Sequence, residues 1–290
     1  MRNRGKTKAL VIFILFSFCL LKILALDNFI REVKEKQKDV NSWLKLTLDN
    51  SMGEVKSMET EEIKNLFAYV LGEKEVAFQY LGYSGVVIRT PHGAIIIDPA
   101  DRIRSEDLKI IPPGSIKLIL FTHDHYDHFH QATALDLFKV TQAPIFAEAS
   151  IINRLRRDLP AEKLFVAEAN KPFNLDNLTV KPVKGAHVGP ILLFHIKIMD
   201  ISIFHGGDSD YVPLTGLSAD LAFLPTGDPS PTASPSAALK MALDLKPRVI
   251  VAIHGSARQH KELEKLVQEK LPQTKVVIPA AYAIEKVKLD

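Results

Sequence analysis

Apolar positions divide the chain into three stretches with different spacing. Residues 9–21 form an apolar run interrupted only by Ser17, and residues 23–26 continue it beyond Lys22. From residue 27 to about residue 74 the apolar positions fall at helical intervals. Phe29, Ile30 and Val33 share a face, Val40, Trp43 and Leu44 resume it, and Ile63, Phe67, Val70 and Leu71 recur three and four apart. Gly72 offers a stop. From residue 75 onward the runs are short, β-rich and punctuated by Gly, Pro and Ser: 76–81, 85–89, 94–97, 116–121, 221–224 and 248–253. Leu178, Val180 and Pro182 alternate with Thr179 and Lys181, and 191–199 with 201–204 form a hairpin pattern across Asp200. Helical spacing returns at 131–138, 148–157, 236–245 and 256–271, the third opening on Ser234-Pro235 as N-cap and first-turn proline. Many strands with interspersed helices predict an α/β or α+β domain with layered sheets, and the pattern alone leaves that choice open.

The first stretch changes how the charge is read. The whole chain carries a formal +3. Arg2, Arg4, Lys6, Lys8 and Lys22 lie in residues 1–26 without an acid. The remainder therefore sets 32 basic residues against 34 acidic ones. A near-neutral body lacks the overall basic excess expected of a nucleic-acid binder, and no nucleic-acid partner is expected. A basic start followed by an apolar run has the form of a secretory signal or signal anchor. The expected organisation is a signal or anchor at 1–26, a helical leader at 27–74 and a main globular domain at 75–290. That domain would be exported or held at a membrane outside the cytoplasm, the membrane contact running through residues 1–26 if they are not cleaved. Cys19, the single cysteine, lies in the apolar run, so the domain has neither a disulfide nor a thiolate ligand.

Four of the ten histidines lie between 123 and 130. Thr122-His123-Asp124-His125-Tyr126-Asp127-His128 follows directly on the strand pattern 116–121. His123 and His125 alternate, so both can face one side, and the next turn brings Asp127 and His128 alongside. Three imidazoles and a carboxylate in six residues suit a borderline divalent cation such as zinc.

The His-x-His-x-Asp-His motif resembles that of the metallo-β-lactamase superfamily. Other landmarks follow in that family's order: Leu81-Gly82 and Ile97-Asp98-Pro99, then Gly185-Ala186-His187, His205-Gly206-Gly207-Asp208 and Val251-Ala252-Ile253-His254-Gly255. Within it, the chain is most similar to the branch that contains L-ascorbate-6-phosphate lactonase. Tyr83 departs from that branch, which often has histidine there, and 252–255 replaces a Pro-Met-His-aromatic run. The resemblance implies an αββα sandwich with two divalent metal ions, zinc foremost and manganese or iron as alternatives. His123, His125 and His187 would hold one ion and Asp127, His128 and His254 the other, with Asp208 bridging. Asp127 and Asp208 are the implied catalytic residues. Asp98 would steady a ligand histidine through its free N–H. Tyr126 and His130 border the motif and Asp228 lies in a Pro/Ser loop that can line a pocket, so these three are the candidate substrate contacts.

The implied activity is a metal-dependent hydrolase that directs an activated hydroxide at an ester, lactone, amide or phosphodiester of a small molecule. A lipid substrate, cleaved by a membrane-proximal phosphodiesterase, is the alternative suggested by the N-terminal run. An iron-dependent oxidoreductase of the same fold is another.

Overall fold

The computed structural model describes residues 66–290 apart from 105, 106, 108 and 228–231. The expected signal or anchor and nearly all of the helical leader lie outside the described residues, as does Asp228. At the leader's end Leu66 is buried and Phe67 and Leu71 pack partly beside it, while Val70 is 89% exposed and residues 69–72 are not helical.

Among the described residues, fourteen strands form two seven-stranded sheets. The first runs β14-β1-β2-β3-β4-β5-β6, with β1 Glu75–Gly82, β2 Gly85–Thr90, β3 Gly93–Ile97, β4 Ile116–Phe121, β5 Ile145–Ala147, β6 Leu164–Val166 and β14 Ile284–Lys288. The second runs β13-β12-β11-β10-β9-β8-β7, with β7 Phe173–Leu175, β8 Leu178–Lys184, β9 Leu192–Ile198, β10 Ile201–His205, β11 Leu221–Pro225, β12 Val249–Ile253 and β13 Lys275–Val277. In each sheet an antiparallel half meets a parallel half, at β3–β4 in the first and β10–β11 in the second.

Alternation along the strands sorts side chains into layers. In β4, Leu118 and Leu120 enter the core between the sheets, while Ile119 and Phe121 face outward. Phe78 and Phe223 meet edge to face across that core at 5.2 Å between ring centroids. The outward face of the first sheet packs on α1 (Gln131–Thr141) and α2 (Ala149–Leu155) through Ala134, Leu137, Phe138, Ile151, Ile152 and Leu155. The second sheet packs in the same way on α3 (Pro235–Leu245) and α4 (Ala257–Lys270) through Ala238, Met241, Leu245, Leu263 and Val267. The result is an αββα sandwich, which settles the α/β versus α+β alternative as a mixture of both. The parallel strands β4, β10, β11 and β12 all end at the same side, and the loops at those ends carry the chemistry. No helix among the described residues is long and apolar enough to cross a membrane.

Candidate metal centre

Four strands deliver seven ionisable side chains to one place. β4 ends at Phe121 and releases His123, His125, Asp127 and His128; His187 follows β8, Asp208 follows β10 and His254 follows β12. They fall into two groups whose ligand-capable atoms lie within 4.8 Å of one another: His123, His125, His187 and Asp208, and Asp127, His128, Asp208 and His254. Asp208 is common to both. The His187 Nε2 and His125 Nδ1 atoms are 3.3 Å apart. His254 Nε2 lies 3.0 Å from Asp208 Oδ1 and 3.5 Å from Asp127 Oδ2, and His128 Nε2 lies 3.4 Å from Asp208 Oδ2.

The outer nitrogen of each inner imidazole is fixed from behind. Asp98 accepts the Thr122 N–H at 2.8 Å and its hydroxyl at 2.6 Å, and faces His128 Nδ1 at 2.9 Å. Nδ1 therefore carries the proton donated to Asp98, and Nε2 points into the cluster. With its proton committed to Asp98, the Thr122 hydroxyl accepts from His123 Nδ1 at 3.0 Å. His254 donates from Nδ1 to the Gly227 carbonyl at 3.2 Å. Each arrangement leaves Nε2 as the inward atom. The Nε2 atoms of His123, His128 and His254 are buried without a hydrogen-bond partner among the described residues, despite the short distances to Asp208. Nitrogens that are close to a carboxylate but not aimed at it fit a shared position for a cation. Three or four imidazole and carboxylate donors per group are the ligand set of a borderline divalent metal.

The electrostatics agree. Burial pushes the His123 imidazole down to about 2, reinforced by neighbouring His128, and keeps it a neutral donor. Burial also opposes a charge on His128, but the Asp98 and Asp208 carboxylates prevail and raise it to about 10. Burial works against ionisation of Asp127, yet His254 and His128 hold it at about 2. Asp208 is lowered in the same way, against burial, by His128, His254 and His123. Asp127 and Asp208 thus stay ionised although buried, beside a neutral His123 and a His128 that Asp98 and Asp208 favour as a cation.

The loop backbones are shaped to aim these groups. Asp98 and His254 adopt left-handed conformations, with φ of 46° and 42°. Such conformations persist in non-glycine residues where surrounding bonds over-determine them. His254 N–H, for one, is tied to the Tyr83 carbonyl at 2.9 Å. The His-Gly-Gly-Asp turn is pinned by His205, whose Nε2 donates to the Ser84 carbonyl at 2.9 Å while its Nδ1 accepts from Gly207 N–H at 3.2 Å. Burial lowers its pKa, so His205 is a neutral strut.

Of the expected substrate contacts, Tyr126 sits on the rim between His125 and Asp127 and is 81% exposed. His130 lies outside both groups, at the N-cap of α1, with Nδ1 2.9 Å from Thr133 Oγ1. Thr122, Ser84 and Ser209 were given no role in the sequence, and Gly227 only a place in a loop that can line the pocket, although each supports a ligand loop; Ser209 Oγ accepts the Ala186 N–H beside His187 at 2.9 Å. A hydroxyl at the exit of a strand that leads into histidines was the signal for Thr122. The others act mainly through backbone carbonyls or a remote hydroxyl and leave no residue-type signature.

A family model described as a beta-lactamase superfamily domain matches residues 94–255, which contain both groups. A metal-dependent hydrolase from Myxococcus xanthus is 27% identical over 206 residues, covering 63% of this chain and 71% of that protein. Another from Thermus thermophilus is 28% identical over 190 residues, 62% of this chain and 83% of that protein. Among solved structures, the metallo hydrolase Igni18 from Ignicoccus hospitalis gives a TM-score of 0.62 at 20% identity, covering 74% of this chain and 100% of that one. CmlA, a diiron β-hydroxylase from Streptomyces venezuelae, gives 0.56 at 15% identity, covering 76% of this chain and 55% of that one. At these identities the structural likenesses establish the fold and leave the reaction open.

Proposed function

Because the chain belongs to the beta-lactamase superfamily, we propose that it is a metal-dependent hydrolase whose two histidine–aspartate groups each hold a divalent cation, zinc foremost. The observation that carries this reading is the sharing of Asp208 by two donor sets, with the Nε2 atoms of His123, His128 and His254 buried and without a hydrogen-bond partner among the described residues. His123, His125 and His187 would hold one cation, and Asp127, His128 and His254 the other. When bound, such cations supply Lewis acidity toward a carbonyl or phosphoryl oxygen and a nucleophilic water at neutral pH.

The chain's own residues divide the remaining work. Asp98, Thr122 and the Gly227 carbonyl set the imidazole tautomers. Asp208 is fully buried and serves to hold, whereas Asp127 is 8% exposed and ionised, so it can also accept a proton from, and orient, a water at the edge of the site. Tyr126 and Val188, 81% and 68% exposed, each neighbour a histidine of the first group. We infer that these exposed side chains, next in sequence to His125 and His187, favour substrates with an apolar portion next to the ester, lactone, amide or phosphodiester, which keeps a lipid substrate as the second reading. With residues 1–26 acting as signal or anchor, the reaction would take place outside the cytoplasm.

Elemental mass spectrometry of protein purified without chelator tests the centre first. About two equivalents of zinc per chain are expected, with His123→Ala and Asp208→Asn both losing metal and zinc-dependent turnover of an ester, lactone or phosphodiester panel. One iron per chain with redox turnover would replace the hydrolase by an oxidoreductase. No metal after reconstitution would leave a binding module.

A further inference from the structure

On the His254 side of the centre, Arg102 is mounted between two tyrosines. The Arg102 guanidinium carbon lies 5.4 Å from the Tyr83 ring centroid, and the Tyr83 ring is 5.6 Å from that of His254. One aromatic ring therefore bridges the cation and a candidate metal ligand. Arg102 Nη1 donates to the Tyr282 hydroxyl at 3.2 Å. Its Nε lies 3.6 Å from Asp101 Oδ1, a carboxylate that is 70% exposed, and the arginine side chain itself is 37% exposed. A guanidinium has five N–H donors, so these two partners leave further donors uncommitted among the described residues.

Both tyrosines are held in place at a cost. Tyr83 and Tyr282 have φ of 48° and 65°, left-handed conformations that bulky residues rarely adopt. The Tyr83 carbonyl accepts from His254 N–H and from the Tyr80 hydroxyl at 2.8 Å. Tyr282 is tied to β1 by its N–H to the Tyr80 carbonyl and by Gln79 Nε2 to its own carbonyl at 3.0 Å. Two left-handed backbones that flank the same cation are held by these hydrogen bonds, and the Tyr282 ring packs in addition on the outer core of the first sheet, so the mount of the guanidinium is preorganised. A weakly hydrated planar cation stacked on an aromatic face binds carboxylate and phosphate well.

We propose that Arg102, positioned by Tyr83 and Tyr282, recognises an anionic carboxylate or phosphate group of the substrate on the His254 side of the centre. This rests on the reading of the cluster as a hydrolytic site, and it makes the substrate a molecule with an anionic group a few atoms from the bond that is cleaved. Arg102 is a specificity determinant and takes no part in the bond change.

The test uses the full chain loaded with zinc and two esters with one leaving group: anionic mono(4-nitrophenyl) succinate and neutral 4-nitrophenyl acetate. Arg102→Gln is expected to raise KM for the succinate ester about tenfold while leaving its kcat and both constants for the acetate ester within about twofold, and Arg102→Lys to recover part of the loss. Equal changes for the two esters, or no change for either, would overturn the proposal, because a merely structural arginine affects both alike. Calorimetric titration with the unreactive amides N-(4-nitrophenyl)succinamate and 4-nitroacetanilide separates binding from turnover. Wild type should prefer the charged amide and Arg102→Gln should not; absence of that preference in wild type counts against Arg102. If the preference holds while neither ester is hydrolysed, the anion site stands and the choice of reaction falls.

Discussion

Asp98 shows how much of the centre depends on a residue that holds no metal. Its carboxylate is fully buried and accepts from the Thr122 N–H, the Thr122 hydroxyl and His128 Nδ1. Through Thr122 it also sets the tautomer of His123. Asp98→Ala should therefore weaken zinc binding by about 10- to 100-fold, read by competition with a chromophoric chelator. The same change leaves a buried N–H and an imidazole without their acceptor, so the metal-free protein should lose on the order of 3 kcal/mol in urea unfolding. Unaltered zinc affinity would show that the tautomers are set elsewhere. Asp98 was legible in the sequence because Ile97-Asp98-Pro99 falls in place among the landmarks of the family that the chain resembles. Arg102 was not, because Tyr83, Arg102 and Tyr282 come from the β1–β2 turn, the loop after β3 and the segment before β14. Only the folded chain brings positions so far apart in sequence together.

At the scale of elements, legibility followed length. The run 116–121 is β4, residue for residue, and the helical windows at 131 and 256 mark the cores of α1 and α4. Strands β5, β6, β7 and β13 have three residues each, too few for alternation to register, and they exist because a longer neighbour offers its edge. β14 closes the first sheet against β1 across most of the sequence, a pairing no local pattern encodes. The β9–β10 hairpin was visible, and it contains a histidine with a consequence for stability. His195 on β9 has Nε2 2.8 Å from the Ser218 carbonyl and 3.0 Å from Ser202 Oγ on β10. Burial, with the charges of Lys197 and Lys181, outweighs the Ser218 hydrogen bond and lowers its pKa below 6.5. The unfolded chain thus takes up a proton that the folded one resists, so this contribution is intact above pH 6.5 and is lost as pH falls below it. His195→Gln keeps an amide donor for Ser218 and removes the titration. Its unfolding midpoint should fall less than that of wild type between pH 6.5 and about pH 5; parallel curves would assign the acid sensitivity to other groups.

The described sandwich is two sheets that meet at a polar centre. His123, His125, Asp127 and His128 leave the first sheet; His187, Asp208 and His254 leave the second, and the Leu192 N–H to Thr122 carbonyl bond links the two beside them at 3.1 Å. The core between the sheets is apolar, with Phe78, Leu118, Leu120, Phe194 and Phe223 among its side chains. Ionised carboxylates gathered in such a place destabilise the fold unless a cation compensates them. Metal binding would therefore act on the global equilibrium, because the ligands of each group are brought together only when the sheets stack. At a free zinc concentration about a thousand times Kd the stabilisation is about 4 kcal/mol, and for a body of this size that corresponds to a rise in Tm of roughly 8–16 °C. Stripping the protein with a chelator should lower Tm by that order and restoring zinc should reverse it. Asp208→Asn should flatten the response, since it withdraws a charge from both groups at once, while Arg102→Gln, outside them, should respond like wild type. If wild type melts at the same temperature with and without zinc, the two groups hold no cation that matters to the fold, and the stability of the sandwich must come from its apolar layers alone.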